Sequence, residues 1–291
     1  MRLRDVGPLL KVTFTSWLDD YAPSMGAALA YYTMFSIAPL LLIVISLAGL
    51  VFGADAVRGE IAGQLSGMMG EAGARAIEGL LKSVSRPADN IPATLLGLVL
   101  LLIGATTVFG ELQDALNRIW RAPPRKVRSG VLNVLRTRLL SFGMILGIGF
   151  LLMISLVLSA ALSALSRWWG PLFAQWETLA NLIDITLGVG MSTAVFALIY
   201  KLIPRVQIGW HDVLVGAVVT AVMFTLGKYL IGLYIGTSGV SSAFGAAGSL
   251  VVVLVWVYYS AQIFLLGAEF TWAYAHAWGS LRATPEPAAT A

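Results

Sequence analysis

A chain of 291 residues with 58% hydrophobic and 12% charged side chains, a net charge of +4 and a mean hydropathy of +0.83 lacks the polar surface to cover itself in water. A soluble globular domain is thereby excluded. With no cysteine, so are disulfides, thiolate nucleophiles and cysteine-ligated zinc or iron–sulfur centres.

Residues 1–25 read as a cytoplasmic or interfacial N-terminal segment. Within it Phe14, Trp17, Leu18 and Tyr21, beside Asp19 and Asp20, predict an interfacial elbow helix with its aromatics at headgroup depth. Residues 26–276 then hold six apolar stretches, at about 26–53, 91–110, 139–165, 179–203, 213–236 and 246–276. Each meets or exceeds the ~20 residues that a helix needs to cross the hydrocarbon. The predicted fold class is therefore all-α: one polytopic membrane domain of six transmembrane helices with amphipathic interfacial helices. The first stretch is too long for a signal-peptide core and is expected to stay as a span. It carries Pro39, which predicts a tilt or kink, and Gly26, Ala27, Ala28 and Ala30, which let a neighbouring helix approach closely.

In loop 54–90, Ile61, Leu65, Met68 and Met69 recur at helical spacing, as do Ile77, Leu80, Leu81 and Val84. Two outer amphipathic helices broken near Gly70–Gly73 follow, serving as a cap over the bundle or as a lid over a cavity entrance. Loop 111–138 has the densest basic run. Its Arg118, Arg121, Arg125, Lys126 and Arg128 are candidate contacts for anionic lipid headgroups, at about 1 kcal/mol per residue, and charge that merely sets topology accounts for the same run. The stretch 236–249, GTSGVSSAFGAAGS, suits a re-entrant segment or flexible outer gate, and equally an ordinary turn followed by small-residue packing. Residues 277–291 form a cytoplasmic tail whose Ala-, Pro- and Thr-rich end is expected to be disordered. With the N-terminus inside, thirteen Lys and Arg fall on the inner side and five on the outer, with Lys228 inside a span. The positive-inside rule then puts both termini in the cytoplasm, and the basic pI near 9.4 reflects this bias, not nucleic-acid binding.

Ionisable groups at membrane depth are costly and are functional candidates by default. Here they are Lys228, Glu269, Asp184 and Glu111. Snorkelling of Lys228, and a Glu269 that simply reaches the inner interface, are the structural alternatives. In the sixth stretch Val255, Tyr259, Gln262, Leu266 and Glu269 share one helical face within about 80° of arc, which points this face into the bundle. The first stretch adds Tyr31, Tyr32, Thr33 and Ser36. The candidate intramembrane pathway is thus Tyr31, Tyr32, Ser36, Lys228, Tyr234, Tyr259, Gln262 and Glu269. Nucleotide-binding, dinucleotide-binding, zinc-protease and serine-hydrolase motifs are all missing, and His211 and His276 stand alone. No catalytic residue, metal or cofactor is expected, and no enzyme.

The stretches LAYYTMFSIAPLLLIV (29–44), ALNRIWR (115–121), LIPRVQIGWHDVLVGAVVTAVMF (202–224), GKYLIGLYI (227–235) and LVWVYYSAQIFLLGAEFT (254–271) together resemble the YihY/BrkB family of bacterial inner-membrane proteins, over about residues 10–275. Positions that match the family pattern are Tyr31, Ser36, Pro39, Asn117, Arg118, Trp120, Pro204, Gly216, Lys228, Tyr234, Trp256, Tyr258, Gly267 and Glu269. The resemblance implies six transmembrane helices, both termini in the cytoplasm, and a link to serum resistance and virulence. It supplies no biochemical activity, since the old ribonuclease label of the family is regarded as mistaken. Two readings follow from the residues. One is a transporter or flippase-like protein for a lipid or other amphiphilic envelope component. The other is a non-catalytic membrane scaffold for envelope assembly. The expected partners are membrane lipids, anionic phospholipid among them, and a second copy or an envelope protein, with no nucleic acid.

Overall fold

The computed structural model of the chain describes residues 6–53, parts of 55–79, 107–123, 176–238, residue 244 and 248–282. Among the described residues every regular element is a helix: α1 Val6–Asp19, α2 Ala22–Phe52, α3 over 107–119, α4 Trp176–Leu202, α5 Trp210–Thr237 and α6 Gly248–Ala277, with further helical residues within 55–79. Three of these contain a segment long and apolar enough to cross a membrane: Ile185–Leu202, Trp210–Ile235 and Leu250–Ala277. The shortest has 18 residues, about 27 Å of helix, close to the thickness of the hydrocarbon. The expected spans at 91–110 (apart from 107–110) and 139–165 lie outside the described residues, as do Arg125, Lys126, Arg128 and most of 236–249.

α2 runs for 31 residues as one helix through position 39. One boundary differs from the sequence expectation. The loop assigned to 111–138 begins instead as helix, because Ala115, Leu116 and Ile119 recur at helical spacing and all three are buried. α3 therefore carries ALNRI as its last turn and a half.

α6 is the centre of the described bundle, with α5, α2 and α1 packed on it and α4 packed on α5. The α5–α6 seam is closed by a reciprocal pairing of glycine and threonine. A Cβ at Gly216 would collide with Thr271, and one at Gly267 with Thr220. Each threonine hydroxyl donates back to the glycine carbonyl one turn earlier on its own helix: Thr220 to Gly216 and Thr271 to Gly267, both at 2.7 Å. Hydroxyls thus fill the space that the glycines open, without leaving a polar group bare. The Tyr200 hydroxyl of α4 extends this seam, donating to the Phe264 carbonyl at 2.7 Å and lying 3.2 Å from the Thr220 Oγ1.

α1 lies against α6 through Leu9, next to Phe270 and Ala273, and leaves Leu10, Phe14 and Leu18 exposed. This is the amphipathic pattern expected of an interfacial elbow. From the segment 54–90, Ile77 is wholly buried among Ala30, Val253 and Val257 of α2 and α6.

Candidate functional site: the collar around Glu269

Glu269 of α6 is 0% exposed, and neither carboxyl oxygen has a hydrogen-bond partner. The charged groups that act on it are Asp20, in the turn between α1 and α2, and Arg121, just past α3. Tyr21 and Arg121 are also the two non-glycine residues with positive φ among the described residues, at 57° and 47°. Left-handed backbone at such residues costs about 1–3 kcal/mol and persists where surrounding contacts dictate it. Those contacts are visible here. The Arg118 guanidinium lies 5.2 Å from the centre of the Tyr21 ring, and that of Arg121 lies 4.3 Å from the Trp272 ring, one turn beyond Glu269.

One to three turns back along α6, Tyr259, Gln262, Ile263 and Leu266 face Phe14 and Trp17 of α1 across a cavity of about 210 Å³. The Gln262 amide donates to the Pro23 carbonyl at 3.4 Å, and its Nε2 fills the place where a Cβ at Gly26 would stand. Its Oε1 is left buried and unpartnered, as is the Trp17 Nε1. Of the predicted stripe of α6, Gln262 and Leu266 lie at the cavity, Glu269 beyond it and Tyr259 between the cavity and Gly227 of α5, whereas Val255 packs against Ile231 and Ile235 of α5.

The other pathway candidates are not brought to it. Tyr31 and Tyr234 lie on exposed faces, 54% and 53% exposed, with Tyr31 stacked edge-on against Tyr32 and Phe35. The Ser36 hydroxyl is buried and donates to the Tyr32 carbonyl at 2.8 Å. Lys228 is half-buried, with its ammonium 5.6 Å from the centre of the Tyr229 ring. Of the arginine candidates, Arg118 and Arg121 are exposed at the collar. Glu111 is half-buried on α3, and the Asp184 side chain lies outside the described residues.

Sequence reasoning did not single out Asp212 or Ser280. Asp212, 2% exposed in the first turn of α5, accepts from the Ser280 N–H and hydroxyl, each at 2.7 Å, and Ser280 in turn accepts from the Gly209 N–H at 3.1 Å. The pair is 68 residues apart, so only the acid in the first helical turn was visible locally. The motif segments converge at this same end. The Asn117 Oδ1 of ALNRIWR accepts from the Arg205 N–H of LIPRVQIGW at 3.1 Å, and buried Trp120 shares a cluster with Leu265 and Ala268. Among the described residues no group of three or more His, Asp and Glu side chains is placed to hold a metal ion.

A family model described as Virulence factor BrkB matches residues 13–291. The chain is similar to a UPF0761 membrane protein of Pseudomonas aeruginosa (strain LESB58), 31% identical over 256 residues, which cover 87% of this chain and 59% of the relative. It is also similar to UPF0761 membrane proteins of Stenotrophomonas maltophilia (strain R551-3), 27% identical over 88% of this chain and 58% of the relative, and of Azotobacter vinelandii, 27% identical over 92% and 64%. The chain spans about three fifths of the length of the curated relatives it matches. No solved structure matches it.

Proposed function

This chain belongs to the BrkB family of membrane proteins, and on that premise we propose that it is a transporter or flippase-like protein for a lipid or other amphiphilic envelope component. The observation that carries this reading is the cavity between α1 and α6. It is lined by apolar surface of Phe14 and Trp17 on an amphipathic elbow and of Tyr259, Gln262, Ile263 and Leu266 on a membrane-spanning helix, and the exposed Arg118 lies against Tyr21 at the turn that closes the elbow, with Arg121 against Trp272 of α6. An acyl chain suits the cavity, and an anionic headgroup suits the arginines. In this reading the protein lies in the bacterial inner membrane with both termini and the arginine collar in the cytoplasm, and it moves its cargo without chemistry of its own.

The test is movement of a fluorescent anionic phospholipid between leaflets of proteoliposomes. The parent protein accelerates it over protein-free vesicles. Leu266→Trp, which fills the cavity, suppresses it. Arg118→Gln and Arg121→Gln each weaken apparent affinity by about fivefold, the equivalent of about 1 kcal/mol per surface charge. No acceleration by the parent protein rejects the reading. The close-packed α5–α6 seam favours a second reading, a scaffold for an envelope partner or a second copy. Stable co-purification without lipid movement supports that one.

A further inference from the structure

The described residues contain two buried carboxylates, and the fold treats them in opposite ways. Asp212 receives two short hydrogen bonds from Ser280, whereas Glu269 receives none. An ionised carboxylate left bare in a protein interior costs several kcal/mol unless a positive partner meets it. The guanidinium groups nearby do not bond it. Arg121 lies over the Trp272 ring and Arg118 over the Tyr21 ring. What does face Glu269 is a second carboxyl, Asp20, from the turn that joins α1 to α2. The α5 residues packed nearby, Gly216, Thr220, Val215 and Val219, bring no charge. Two carboxyl groups that face each other, with no donor between them, share a proton or bracket a small cation.

We propose that Glu269 and Asp20 form a binding site for one small monovalent cation, a proton or a sodium ion, whose occupancy fastens the α1–α2 elbow to α6. The site joins two elements that meet through apolar contacts and through the bond from Gln262 to Pro23. With the cation present, Asp20 is drawn to α6 and the turn at Tyr21 is held in its left-handed form. With the cation gone, two facing negative charges push the turn away, and the wall of the cavity formed by Phe14 and Trp17 moves with it. The site stands on its own geometry. Its use as the energy input for lipid movement rests on the reading given above.

Infrared difference spectroscopy of the full chain in lipid nanodiscs tests the site without any transport assay, by reading the C=O stretch of protonated carboxyl groups. Between acid and alkaline pH the parent protein should lose a carboxyl band that Glu269→Gln lacks, and Asp20→Asn should move its midpoint by about tenfold or more in cation concentration. Sodium chloride, compared with choline chloride at constant pH, separates the two cations. Displacement of the band by sodium alone assigns the site to sodium, and response to pH alone assigns it to the proton. Spectra of the parent protein and of Glu269→Gln that match under all these conditions overturn the proposal. So does an Asp20→Asn protein with an unmoved midpoint, which decides the matter if Glu269→Gln does not fold. Because the chain has no cysteine, spin labels at Lys11→Cys and His276→Cys can follow the elbow directly. Their separation should change with the cation in the parent background and stay constant with Glu269→Gln. A carboxyl band that behaves as described in a protein that moves no lipid leaves the cation site standing and removes the transport reading.

Discussion

α6 presents one side to α5 and another to α1, and the two contacts are built differently. On the α5 side, glycines on both helices admit threonines from the other, each hydroxyl is bonded, and Tyr200 ties in a third helix. On the α1 side a cavity remains, and Trp17, Gln262 and Glu269 all keep buried polar atoms without partners. Buried polar groups in native proteins are bonded as a rule, so these exceptions call for an explanation, as do the Asn117 Nδ2 and the Trp120 Nε1 beyond this contact. The difference teaches where this bundle is built to stay closed and where it is built to be completed by something else.

The sharpest way to break the comparison is to overfill the closed side. Gly267→Leu places a branched side chain where even a Cβ meets Thr220, and should destabilise the protein by about 3 kcal/mol or more. Thermal unfolding in detergent, followed by loss of monodisperse protein, should show the largest drop of any variant discussed here. Close behind is Asp212→Ala, which strands two donors of Ser280 and frees the turn after α6, at about 2–3 kcal/mol. Its signature is faster amide exchange at 278–282 with the α5–α6 seam still protected.

How much of this was legible in the sequence depended on whether the signal was local. The stripe Val255, Tyr259, Gln262, Leu266 and Glu269 was readable because helical periodicity alone puts it on one face, and Tyr259, Gln262 and Leu266 line the cavity while Val255 packs against α5. The amphipathic elbow was readable for the same reason. Tyr31, Lys228 and Tyr234 were grouped with the stripe on chemistry alone, and periodicity within one helix carries no information about which neighbour a residue faces. The partnership of Glu269 with Asp20 spans 249 positions and depends on a left-handed Tyr21, a conformation that an aromatic residue does not announce. Likewise the small residues noted in the first span are only half of a packing rule. The glycines that matter most, Gly216 and Gly267, are defined by the threonines opposite them on another helix.

A smaller effect tests whether the closed side depends on its polar bonds or only on its shape. Tyr200→Phe keeps the ring against Phe264 but removes the bond to the Phe264 carbonyl and the contact with Thr220. Hydrogen bonds between membrane helices are worth about 0.6 kcal/mol on average and at most about 1.7. A loss in that range is expected in the same unfolding measurement. A cost near that of Gly267→Leu would mean that the bond network, and not the steric fit, holds the seam.

The smallest change is expected on the open side, and its sign is what matters. Trp17→Phe removes an indole N–H that is buried without a partner while keeping an aromatic ring against the cavity. If the unpartnered donor is a liability in the isolated protein, its removal offsets the lost contact area, and stability should change by less than about 1 kcal/mol in either direction. The same variant should nevertheless lose lipid movement if the cavity takes an acylated cargo, because the wall that meets the cargo has changed shape. A stability loss comparable to that of Asp212→Ala would show that Trp17 is an ordinary core residue, bonded in solution to a group beside it. The open side of α6 would then be as complete as the closed one.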